Sequence, residues 1–82
     1  MRNFKVPSFA ERRAKIKTVA DIETQLALAK QYVASIKREM KGAPTLAAKQ
    51  AIAEKVVDAE RVLRRLRMES FDIEDEINAK NS

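Results

Sequence analysis

Two stretches of the sequence repeat apolar residues in alternating steps of three and four, and a single short punctuation mark separates them. The first runs through Val19, Ile22, Leu26, Ala29, Val33, Ile36 and Met40, the second through Ile52, Val56, Ala59, Leu63, Leu66, Ser70, Ile73 and Ile77. Steps of three and four bring side chains to one face of an α-helix, and an average period near 3.5 is the signature of a coiled-coil seam. Between the two lies KGAPT, Lys41 to Thr45. Here Gly42 can adopt the left-handed conformation that closes a helix, Pro44 blocks its continuation, and the Thr45 hydroxyl can accept from the free amides of the next helix. A link this short forces neighbouring helices to pack antiparallel. The pattern therefore predicts an all-α fold, a long antiparallel helical hairpin resembling a coiled coil, with helices over about 8–41 and 46–78 and a turn at 42–45.

The flanks are less regular. Residues 1–7 read as a basic arm and 79–82 as a frayed tail. Ser8 with Glu11 three residues later matches a capping box, which starts a helix near Ser8; Thr18 with Asp21 is a second such pair. Extended backwards, the first seam puts Arg12 and Lys15 at or beside core positions, while Phe9 and Ile16 fall on another face. Two alternatives follow: one continuous first helix, or a separate short N-terminal helix ending near Lys17.

Charge separates the ends of the chain. Residues 1–17 hold six cations and one anion, whereas the rest balances at eleven of each, so the whole net charge of +5 sits at the front. The run ERRAKIK at Glu11 to Lys17 is basic, and ESFDIEDE at Glu69 to Glu76 carries five acids and no base. If the hairpin folds about Ala43 and Pro44, Arg12 and Arg13 come opposite Glu74 and Asp75, and Lys15 opposite Asp72. In the short-helix alternative these cations are free to meet phosphate or an acidic partner.

The composition excludes much chemistry. With no His and no Cys, the usual general bases, activated nucleophiles, disulfides and transition-metal ligands are missing. The acids Asp72, Glu74, Asp75 and Glu76 lack the glycine-centred loop of a calcium site. We therefore expect no enzyme, no metal and no cofactor, and read Tyr32 as a side chain at an interface edge with its hydroxyl in water. No apolar run approaches the roughly 20 residues that span a bilayer, and the basic start lacks a secretory core, so a soluble chain is expected, cytoplasmic or inside a cytoplasmically assembled particle.

A chain of 82 residues buries only about 60% of its unfolded surface, and small cores of this kind are commonly reinforced by association. Two features point to a partner surface. The run RVLRRLR, Arg61 to Arg67, carries four arginines and no acid, and Arg61 and Arg64 lie among an outward apolar strip of Leu46, Ala53, Val57, Met68 and Phe71. Arginine stems lie along apolar surface while their forks reach carboxylates. On the first helix, Phe9, Ile16, Ala20, Ala27 and Ala34 form a second stripe away from the seam. The expected function is a non-enzymatic adaptor, assembly or regulatory subunit that contacts itself or a larger protein complex through Leu46, Val57, Arg61, Arg64, Met68 and Phe71, with a two-fold dimer forming a four-helix bundle as the simplest closure. The alternative is a small nucleic-acid-binding protein whose phosphate contacts would be Arg2, Lys5, Arg12, Arg13, Lys15 and Lys17, supported by Arg61 to Arg67. A membrane surface is a poor fit, because proline interrupts the basic stretch.

Overall fold

The computed structural model describes residues 5–81, and all regular structure among them is helical. It consists of α1 (Phe9–Ala14), α2 (Val19–Lys41) and α3 (Leu46–Asn81). At about 1.5 Å per residue, the 36 residues of α3 span the 54 Å length of the molecule, which is only 15 Å across in the other two directions. Helix α3 packs along α2, and α1 packs on α3.

The two heptad stretches supply the core. From α2 come Ile22, Ala29, Val33 and Ile36; from α3 come Ile52, Val56, Ala59, Leu63, Leu66, Ile73 and Ile77. Ile36 and Leu66, at 0% and 1% exposure, are its most enclosed side chains. Complete burial of such a side chain contributes about 1.5–3 kcal/mol. Val19, the first member of the predicted seam, is instead 38% exposed, and Ser70, Leu26 and Met40 are only partly buried. Lys37 Nζ meets Glu60 Oε1 at 3.0 Å on the surface of the α2–α3 pair.

The junction at 42–45 differs in detail from its expected form. Gly42 closes α2 at φ −89°, ψ 0°, with its amide donating to the Glu39 carbonyl and the Ala43 amide to the Met40 carbonyl, each at 3.2 Å, so no left-handed glycine is used. A 3₁₀-like final turn does the same job. Thr45 caps α3 as its Oγ1 accepts from the Ala48 amide at 3.1 Å. The C-terminal end runs on in helix through Asn81, past the predicted limit at 78.

The continuous first helix does not form. The chain breaks at Lys15 to Thr18, so that 23 residues of α2 face 36 of α3, and the two rods are not of similar length. Thr18 is extended (φ −128°, ψ 165°) and makes a complete capping box with Asp21. The Asp21 amide donates to Thr18 Oγ1 at 3.3 Å, and Asp21 Oδ2 accepts from the amides of Lys17 and Thr18 at 2.9 and 3.0 Å. Those two amides hold the Asp21 carboxyl below its ordinary pKa, and its charge also favours the helix N-terminus. At the other corner Ser8 Oγ accepts from the Glu11 amide at 3.1 Å, but its hydroxyl faces the Glu11 carboxylate at 3.4 Å, so only half of the predicted box is present.

After this break the N-terminal segment runs back along α2. Arg12 Nη1 donates to Gln25 Oε1 at 3.2 Å, and the Tyr32 hydroxyl donates to the Lys5 carbonyl at 2.9 Å. Ascending partners on α2 thus meet descending positions in the segment. This reversal explains the phase change read in the sequence: Ile16 is buried in the common core, and Val6 and Phe9 pack against it. Phe9 and Ile16 therefore leave the proposed outer stripe, while Ala20, Ala27 and Ala34 remain exposed.

Candidate functional site

Each expected contact residue can now be located. Leu46, Val57, Met68 and Phe71 are 72%, 52%, 74% and 77% exposed. Arg61 and Arg64 are exposed as well. At 100° per residue, these six positions fall on one side of α3, roughly opposite the face formed by Ala59, Leu63 and Leu66. Large exposed apolar side chains thus occur along much of the length of α3.

The basic set is dispersed. Arg2 lies outside the described residues. Lys15 and Lys17 are exposed and Lys5 offers its carbonyl to Tyr32. Arg12 is only 8% exposed, with burial depressing its pKa and the nearby Tyr32 opposing that shift. It belongs to the interior and is not a surface contact. Arg13 pairs with Glu76, Nη2 to Oε2 at 2.7 Å, in place of the predicted Glu74 or Asp75. Its Nη1 also donates to the Ile16 carbonyl at 3.3 Å. The two charged runs therefore meet even though the helix is broken, by a register that the simple fold about Ala43 and Pro44 did not give.

Tyr32 also makes a contact that the spacing did not give. Its hydroxyl is held by a backbone carbonyl, and burial raises its pKa, with Arg12 pulling the other way. A phenol shifted upward stays protonated at neutral pH and keeps donating.

Two clefts flank the back-folded segment. One, of 660 Å³, opens between α1 and the end of α3; Phe9, Ile16 and Ile77 form its apolar part, and Arg13, Lys17, Arg65 and Lys80 surround it with the single acid Glu76. Arg65 lies 3.9 Å above the Phe9 ring centroid and bonds Glu69, one turn further along α3, at 2.6 Å. The other, of 350 Å³, lies where Val6, Pro7 and Phe9 meet Arg61, Val62 and Arg65. Sequence reasoning missed both, because they depend on α1 folding back onto α3. It also missed the buried Gln25. The usable signal was Arg12 at a core register, which requires a polar acceptor nearby.

Among the described residues no helix is long and apolar enough to cross a membrane. No group of three or more His, Cys, Asp or Glu there has metal-binding geometry. Compared with models of protein families, with curated proteins and with solved structures, the chain gives no match in any of the three.

Proposed function

We propose that α2 and α3 form an antiparallel hairpin that works as a non-enzymatic adaptor or assembly subunit, docking through the outward strip of α3. The observation that carries this reading is the exposure of Leu46, Val57, Met68 and Phe71 on the side of α3 turned away from its own core. Extended apolar surface of this kind is a usual mark of an interaction site. The short junction at Gly42 to Thr45 and the Lys37–Glu60 and Arg13–Glu76 pairs support the antiparallel arrangement. Arg61 and Arg64 would add orientation, since exposed ion pairs are worth only about 0.2–1 kcal/mol each.

The occupant is a second copy of the chain. A strip along one side of a long helix is self-complementary under a two-fold axis, and pairing two hairpins yields a four-helix bundle. The nucleic-acid reading has weaker support, because Arg12 is buried and Arg13 and Arg65 are already paired.

Sedimentation velocity over a range of concentrations tests the proposal. The expected result is a dimer that persists when salt is raised and reverts to monomer in Val57→Asp or Met68→Asp, with helical content retained. A monomer at all concentrations, or a dimer indifferent to both substitutions, would overturn it.

A further inference from the structure

The cleft between α1 and the end of α3 combines an apolar floor with an excess of positive charge. Phe9, Ile16 and Ile77 line the floor, and the small side chains of Ala10 and Ala14 leave it open. Of its four cations, Arg13 is taken by Glu76, and Arg65 by Glu69 and the Phe9 ring. The ammonium groups of Lys17 and Lys80 have no acid within ion-pair distance among the described residues. Its volume of 660 Å³ falls within the roughly 300–1,000 Å³ usual for ligand sites.

We infer that this cleft binds a short acidic peptide segment of a partner protein, an apolar side chain of which rests on Phe9, Ile16 and Ile77 while flanking carboxylates meet Lys17 and Lys80. Charge complementarity selects the acidic partner, and the apolar floor selects a peptide over a phosphate polymer. A nucleic acid needs a continuous line of free cations or an open ring on which a base can stack. Here Arg12 is interior, Arg13 and Arg65 are engaged, and the Arg65 guanidinium occupies the Phe9 face on which a base would stack, leaving the rest of the side chain to line the cleft. The site goes beyond the α3 strip and stands whether or not the chain self-associates, since Arg65, Glu76 and Lys80 lie on a different side of α3 from Leu46, Val57 and Phe71.

The test uses the full chain and a fluorescein-labelled acidic peptide with one central phenylalanine, read by anisotropy at low and moderate salt. Controls are the same peptide with serine for phenylalanine, with lysines for its acids, and a single-stranded thymidine oligonucleotide. The acidic peptide should bind best and weaken as salt screens the lysines. Lys17→Glu combined with Lys80→Glu should weaken it by about tenfold or more, whereas Lys49→Glu, at an exposed position in the first turn of α3, should not. Amide chemical shifts on adding the peptide should move at Ala10, Ala14, Ile77 and Lys80, a readout that holds even if the double variant folds poorly. Absence of binding, affinity unchanged in a folded double variant, shifts confined to other regions, or tighter binding of the oligonucleotide through the same lysines would each overturn the inference.

Discussion

The α2–α3 seam and the back-folded segment from Lys5 to Lys17 are held by different physics. The seam is an apolar interface of Ile, Val, Leu and Ala side chains in heptad spacing. The segment has an apolar foot in Val6, Phe9 and Ile16, but specific polar contacts determine where it lies: Arg12 on Gln25, Tyr32 on Lys5, Arg13 on Glu76 and Arg65 over Phe9. Non-directional burial tolerates some sliding of one helix on another, whereas a buried guanidinium has few acceptable acceptors. The seam thus supplies most of the stability, and the segment's polar anchors fix the position of α1, on which the basic cleft depends.

Substitutions can separate the two regions. The largest effect is expected at Leu66→Ala, which removes a fully enclosed side chain. A loss of about 2–5 kcal/mol should appear in denaturant unfolding as a single transition involving α2 and α3 together; unfolding confined to one helix would contradict a shared core. Next comes Arg12→Ala, which leaves Gln25 Oε1 buried without its donor at a cost of about 1–3 kcal/mol. Its effect should be local. Hydrogen exchange should quicken at the Arg12 and Ile16 amides, which donate to Ser8 and Arg13 carbonyls, while the amides of Ile36 and Leu66 keep their protection. Equal acceleration throughout would merge the two regions into one cooperative unit. The smallest effect is expected at the junction: Gly42→Ala puts a Cβ at ordinary contact distance, 3.7 Å from the Glu39 carbonyl oxygen, at a negative φ. It should raise stability by about 0.4–1 kcal/mol through the unfolded chain. A comparable loss would show that the glycine needs a conformation other than the one described.

The contrast also explains how much was legible in the sequence. Apolar spacing alone located the seam, because Ile22, Ala29, Val33 and Ile36 recur at a helical period and are buried for that reason. The stop at Lys41 and the Thr45 cap were equally local signals. Capping pairs at Ser8–Glu11 and Thr18–Asp21 raised the broken helix as an alternative, yet nothing in the spacing said that the chain would then reverse along α2. That outcome depends on Arg12 finding Gln25 and Tyr32 finding the Lys5 carbonyl, matches between residues that carry no periodicity. Gly42 misled for a simpler reason: glycine permits the left-handed region without requiring it. The strip on α3 was readable as a helix face, whereas the basic cleft was not, since it joins Lys17 to Lys80 only after the reversal.

The reversal at Lys15 to Thr18 is the point on which this account rests, and nuclear Overhauser contacts in the labelled chain test it directly. The account predicts cross-peaks from the Tyr32 ring to Lys5 and Val6 and from the Gln25 side chain to Arg12. Unbroken helical cross-peaks between residues three apart from Ala14 through Asp21, with none between Tyr32 and Lys5, would contradict it.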